Sequence, residues 1–195
     1  DLRQDRDQPI IGANDGASGV AILLELARIM AENPPPIGVN LVFFDGEDQG
    51  VPGVNETYCQ GSRFFAKNLP IPRPDEAINL DMVGDKQLVL PIERYSLEYH
   101  PQLVRHLWDR AKEMGLDAFI GRVDYAIYDD HIPLNEIAGI PSIDLIDFKY
   151  PNSYANFWHT LNDIPENCSE ESLGQVGDLM VDYIYNREEQ NRSEN

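Results

Sequence analysis

The chain has 195 residues, 42% hydrophobic and 25% charged, with 34 acidic against 15 basic side chains and a formal net charge of −19. These are the proportions of a globular protein, and a domain of this size buries roughly 70% of the surface its unfolded chain exposes, so it needs no staple. The acidity argues against nucleic acid or an anionic membrane as partner and suits a cation, such as a metal ion or a peptide amine. No run approaches the about 20 apolar residues of a membrane span.

The chain opens abruptly on "DLRQDRDQP". A charged, irregular start is an odd beginning for a domain, and the expectation is that further sequence precedes it. Residues 17–32, "ASGVAILLELARIMAE", are apolar on nearly every side and predict a buried helix, stopped by "NPPPIG". "VNLVFFD" at 39–45 is a continuous apolar run that predicts a strand covered on both faces. Residues 49–60 have loop composition, and "GSRFFAKN" after them predicts a short helix. Strands are expected at 77–83, "AINLDMV", and over "QLVLPI".

From Pro101 to Met114, Leu103, Val104, Leu107, Trp108, Ala111 and Met114 share one helical face, with Pro101 in the first turn and Gly115 as C-terminal cap. "IPSIDLI" at 140–146 predicts another strand, and 169–187 a last helix with Leu173, Val176, Met180, Tyr183 and Ile184 inward. Helices alternating with buried strands predict an α/β sandwich with a mostly parallel sheet, one domain over 1–195. The two cysteines, Cys59 and Cys168, lie in no CxxC and leave the redox compartment open. Sequons at Asn55, Asn167 and Asn191 are patterns short enough to arise by chance.

Acidic residues recur where the buried strands end. "LVFF" ends in Asp45, Glu47 and Asp48, and "INL" in Asp81. In open α/β sheets ligands bind at the carboxyl ends of strands. Asp15 lies in the glycine-rich turn "GANDGASG", "YDDHIP" carries Asp129, Asp130 and His131, and "FWHTLND" carries His159. Each has an ordinary explanation. Asp15 can cap a helix, Glu47 and Asp48 can face water, and His159 can be a satisfied core histidine. Asp81, flanked by Ile78, Leu80, Met82 and Val83, needs a partner. Together, one histidine and several carboxylates fit zinc.

"GANDGASGVAILLELAR", "LVFFDGED", "NLDMVGD", "DDHIP" and "WHT", in that order, resemble the zinc-dependent exopeptidase family that contains dinuclear-zinc aminopeptidases and animal-type glutaminyl cyclases. The resemblance runs from about residue 9 to residue 185. It implies a three-layer sandwich with helices on both faces of a central, mostly parallel mixed sheet. It also implies that Asp15, Asp48 and His159 bind zinc and that Glu47 is the general acid/base. Asp81 would hold a second zinc in the peptidases and join a hydrogen-bond network in the one-zinc cyclases.

"YDDHIPLNEIAGIP" resembles the cyclases, in which the residue at Asp129 belongs to the catalytic network, whereas the peptidases more often have Ser there. "FWHT" does too, which implies that Trp158 lines the pocket for an N-terminal glutamine. "YCQGSRFFAKN" resembles the corresponding stretch of bacterial cyclases. The implied activity is cyclisation of an N-terminal glutamine to pyroglutamate with release of ammonia, on a peptide or protein N-terminus and with one zinc ion. The runner-up is an aminopeptidase with two. Asp129 and Asp81 are expected to share a proton or a strong hydrogen bond. The chain departs from the family pattern in three places. No His-x-Asp precedes the "GAND" turn, no aromatic residue stands between the acidic pair and Tyr58, and Asp48 stands where Glu is commoner. Bacterial relatives tend to be exported, which implies a periplasmic or secreted protein.

Overall fold

The computed structural model describes residues 7–193, with side chains at 7–186. Residues 1–6 and the side chain of the Asn191 sequon lie outside the described residues. In chain order the main elements are α1 (Ala17–Glu32), α2 (Gln60–Lys67), β1 (Ala77–Asp81), β2 (Leu90–Ile92), α3 (Arg94–Tyr99), α4 (Pro101–Met114), β3 (Phe119–Val123), α5 (His131–Glu136), β4 (Ser142–Ile146), a two-residue hairpin β5 (Pro151–Asn152) and β6 (Ala155–Asn156), and α6 (Glu170–Ser193).

β1 and β4 pair in parallel, with Asn79 opposite Asp144 and Asp81 opposite Ile146. β2 and β3 form a second parallel pair, and β2 packs beside β4. Side chains alternate across a strand, so β4 divides its residues between two faces. Ile143 and Leu145 join the main core with Ile22 and Leu26 of α1, Leu103, Val104, Leu107, Trp108 and Ala111 of α4, and Val176, Leu179 and Met180 of α6. Ser142, Asp144 and Ile146 point the other way, where α3 and α5 pack on β4 and α2 packs on α5. Helices therefore cover both faces of parallel strands, an α/β fold.

α4 matches its sequence pattern, with Gly115 in the left-handed conformation at its C-cap (φ 73°). α6 likewise buries Val176, Met180, Tyr183 and Ile184. α1 meets β1 so closely that a Cβ on Gly19 would lie 2.1 Å from the carbonyl oxygen of Leu80. Only glycine permits that approach.

Three expectations fail here. Residues 39–45 form no strand among the described residues. They line a groove of about 1020 Å³ together with β1, Leu23 and Leu26 of α1, and Met180 and Tyr183 of α6. Since among the described residues β1 pairs only with β4, its other edge faces this groove, and β1 is half-buried throughout instead of covered on both faces. For the same reason α1 is not buried all round. Ser18, Gly19, Ile22 and Leu26 are inward, while Val20 and Leu24 are exposed. No described helix is long and apolar enough to cross a membrane.

Candidate metal centre and active site

The turn before α1 is fastened on two sides. Asn14, fully buried, accepts the Gly84 amide at 2.7 Å through its side-chain oxygen, and Ser18 donates to the Asn14 carbonyl while accepting the Val83 amide at 3.0 Å. The carboxylate of Asp163 accepts the amides of Asn14 at 2.8 Å and Asp15 at 3.2 Å, and Tyr150 donates to it. Asp15 is thus held at the C-terminal end of β1 by backbone contacts, with its side chain free to point outward.

The acidic turn is clamped to the start of α2. Cys59, Gln60 and Gly61 donate their amides to the carbonyls of Glu47, Gly46 and Asp45 at 2.9, 3.2 and 3.0 Å. These are among the amides that have no partner inside a helix. A Cβ on Gly61 would sit 2.5 Å from the Asp45 carbonyl oxygen. Asp45 itself is exposed and contributes that carbonyl to the turn.

The neighbouring acids take different further partners, while their carboxyls stay within hydrogen-bonding reach of each other. Asp48 faces His159, with its carboxylate 3.0 Å from Nε2, and the same nitrogen lies 3.3 Å from Asp15. Glu47 faces inward instead, toward Asp129 and Cys59, whose thiol is 4.0 Å from its carboxylate. Asp15, Asp48 and His159 each present one ligand atom within 4.8 Å of the others. His159 reaches this position with a left-handed backbone (φ 56°), a conformation that costs on the order of 1 kcal/mol or more in a residue with a side chain.

Protonation follows the geometry. Hydrogen bonds to Asp15 and then Asp48 push His159 up to about 10. The hydrogen bond from His159 holds Asp48 below the ordinary carboxylate range. Burial, then the charges of Asp129 and Asp48, push Glu47 up to about 9. One acid of the pair stays ionised and the other holds a proton, the separation expected of paired carboxylates with different tasks.

Two carboxylates and an imidazole converging on one point, with the His159 and Asp48 side chains 40% and 52% exposed, fit a zinc ion that keeps a position open to substrate.

Behind the cluster, burial and then Asp129 and Asp15 push Asp81 well above the ordinary range. Asp129, buried, accepts the amide of Asp130 at 2.5 Å and the side-chain amide of Asn79 at 2.8 Å. The Asp144 carboxyl lies within hydrogen-bonding reach of Asp129 and is pushed well above its ordinary range by burial, while the charge of Asp129 helps to raise Asp81. Asn79 and Asp144 are cross-strand partners on the face that meets α5, and Asn79 donates to both acids.

Trp158 stacks on the His159 imidazole, with centroids 3.9 Å apart and planes 26° apart, and leans on Phe148 at 5.1 Å. Both lie above the small core of Met82, Ile146 and Tyr150.

Sequence reasoning missed Asp144, Asp163 and Glu93. Asp144 carried a visible signal, since it interrupts the apolar run "IPSIDLI" just as Asp81 interrupts "INLDMV".

The chain is 35% identical to the Bacteroides thetaiotaomicron glutaminyl cyclase solved with N-acetylhistamine, with a TM-score of 0.87 over 94% of this chain and 68% of that one. It is 29% identical to aminopeptidase YwaD of Bacillus subtilis and 25% identical to the glutaminyl-peptide cyclotransferase of Boiga dendrophila, each over 89% of this chain. It spans 37% and 55% of the lengths of those two relatives. Residues 2–184 match Peptidase family M28, and the chain belongs to that family.

Proposed function

We propose that this chain carries the active site of a zinc-dependent glutaminyl-peptide cyclotransferase, with Asp15, Asp48 and His159 holding one zinc ion. The observation that carries the reading is the division of the acidic pair. Asp48 turns to His159 and Asp15, while Glu47 turns to Asp129 and stays outside the ligand set. A carboxyl held outside the ligand set, beside the open position, is placed to move protons.

When bound, zinc supplies a Lewis acid for the γ-carbonyl oxygen of an N-terminal glutamine. Trp158 forms a wall beside His159 against which the glutamine side chain lies. The α-amine then stands within the same residue as its target carbon, so proximity supplies much of the rate. Glu47, whose ionised form a bound cation would favour, accepts a proton as the bond from the α-nitrogen to the γ-carbonyl carbon forms, and returns it to the amide nitrogen as the bond from that carbon to the amide nitrogen breaks and ammonia leaves. Asp129, fixed by Asn79 and the Asp130 amide, receives the substrate amine and favours its correct orientation. Cyclase is preferred over peptidase because Asp129 stands where the peptidases more often have Ser, and because Trp158 precedes the metal-facing histidine.

The second reading is an aminopeptidase, favoured by the likeness to aminopeptidase YwaD. There Glu47 would be the base for an attacking water, and Asp81 would face a second ion. The test is to give the full-length protein a Gln-peptide and a Leu-anilide, and to count zinc per chain. Loss of ammonia from the Gln-peptide with one zinc is expected. Release of the anilide without cyclisation, with two zinc ions, overturns the cyclase reading.

A further inference from the structure

On the far side of Asp129 lies a group that the reaction above does not use. His131, Glu93 and Asp144 are each fully buried, and Asp129 is 4% exposed. His131 Nε2 is 3.4 Å from a Glu93 oxygen, and Nδ1 is 3.9 Å from an Asp144 oxygen. Neither ring nitrogen is in hydrogen-bond geometry with any group, and neither is that Asp144 oxygen, so the two acids face the ring without being bonded to it.

Glu93 is immobile. It is the N-cap of α3, its carboxylate accepting the amides of Tyr95 at 3.0 Å and Ser96 at 2.6 Å, the Ser96 hydroxyl at 2.8 Å, and the amide of Ile127 at 3.0 Å. Ser96 also accepts the amide of Asp144 at 2.9 Å. The ionisable groups that the structure brings to His131 are Glu93 before α3, Asp144 on β4 and Asp129 before α5, and all are acids. Several buried carboxyls in one space are costly unless a cation or protons accompany them. An imidazole with an acid at each nitrogen satisfies both only when both nitrogens carry N–H donors.

We propose that His131, anchored by Glu93, is a positioning residue for Asp129: donating from both ring nitrogens, it ties the N-cap carboxylate of α3 to Asp144, and through Asp144 and Asn79 it sets the direction in which Asp129 meets the substrate. The neighbours respond accordingly. Burial pushes Glu93 up, yet the nearby His131 ring and the Ser96 and Tyr95 amides bring it below its ordinary value. Burial also raises Asp129, and the charge of His131 is the largest influence opposing that.

The substrate half of this inference rests on the cyclase reading, and the test separates the two. In the full-length protein, His131→Gln is expected to lower kcat for cyclisation of a Gln-peptide by about 10- to 100-fold, as a small misorientation of a reacting group does, while KM and zinc per chain stay near wild type. His131→Asn serves if the Gln variant does not fold. Nitrogen-15 histidine NMR of the wild type, which needs no turnover, should show both His131 ring nitrogens as N–H, with Glu93→Gln removing that signature. Unchanged kcat per zinc-loaded molecule overturns the proposal, as does a ring nitrogen that carries no proton. So does a second zinc equivalent lost in His131→Gln with the first retained, which would make Asp129, His131 and Asp144 a cation site. A wild type that cyclises nothing sinks the cyclase reading, and the NMR result then decides the clamp alone.

Discussion

Among the described residues, two clusters bring a histidine together with two acids, one on the zinc side of Asp129 and one behind it. In the outer one His159 is 40% exposed and a single nitrogen faces both Asp15 and Asp48. In the inner one His131 is fully buried, and its two nitrogens face different acids on different elements, Glu93 and Asp144. The residue types are nearly the same. Convergence on one point with an open side makes a ligand set. Divergence across a closed space makes a tie between elements. A count of His, Asp and Glu does not separate these cases, whereas burial and the direction of the lone pairs do.

The largest effect expected comes from the residue between the clusters. Glu47→Gln removes a proton carrier and should lower kcat by about 100- to 10,000-fold, with zinc content unchanged because Glu47 lies outside the ligand set. Metal analysis beside steady-state kinetics checks both halves. Loss of zinc in this variant would move Glu47 into the outer cluster and break the distinction drawn above. The second effect is on metal affinity. Without an ion, His159 is held up to about 10, and a histidine ligand must be neutral to bind. Each zinc therefore displaces that proton at neutral pH, and affinity should rise about tenfold per pH unit. Asp48, held low, is already ionised and adds no slope. For folding the sign is opposite. The raised His159 stabilises the ion-free protein fully below about pH 6.5, and that contribution is lost as pH climbs toward 10. Calorimetric zinc titrations from pH 6 to 8 read the slope, and His131→Gln should leave it intact.

Much of the outer cluster was legible because each member belongs to a chain-local motif: "GAND", "GED", "WHT". Local sequence carries the turn chemistry that aims those side chains. The inner cluster was not legible, because its parts become neighbours only through sheet register and helix packing. Asn79 meets Asp144 across a parallel pair, and Glu93 reaches His131 only once α3 and α5 pack on β4. α4, α6 and β4 were read correctly because each buries a face against partners that the chain itself supplies. "VNLVFFD" was misread for the converse reason. Its apolar run fits a covered strand, yet among the described residues β1 pairs only with β4, and the run lies along a groove. Apolar composition states a preference for burial, and pairing decides whether a strand forms.

A smaller effect tests how the outer cluster is held. Asp163 accepts two successive amides of the turn that carries Asp15 and touches no ligand atom of the cluster. Groups that orient metal ligands typically matter by 10- to 100-fold, so Asp163→Ala should weaken zinc binding by about tenfold. Calorimetry at fixed pH checks it, and an unchanged affinity would mean that the contacts of Asn14 and Ser18 to β1 suffice to aim Asp15.

The smallest effect belongs to Trp158, which has two separable tasks. Its ring supports His159 by stacking at 3.9 Å, and in the proposed reaction it also walls the glutamine site. Support of the ligand would appear as weaker zinc binding, and loss of the wall as a higher KM with zinc content unchanged. An aromatic contact of this kind contributes about 1 kcal/mol, so Trp158→Ala should raise KM for a Gln-peptide roughly fivefold. Phe148 leans on the same indole from the side and keeps the neighbourhood apolar after truncation, which is why the loss stays modest. Trp158→Phe retains a flat ring over His159 and should recover zinc affinity before it recovers KM. If the rise in KM and the loss of zinc affinity appear and recover together across the two variants, the ring acts only on the histidine, and the glutamine side chain lies elsewhere.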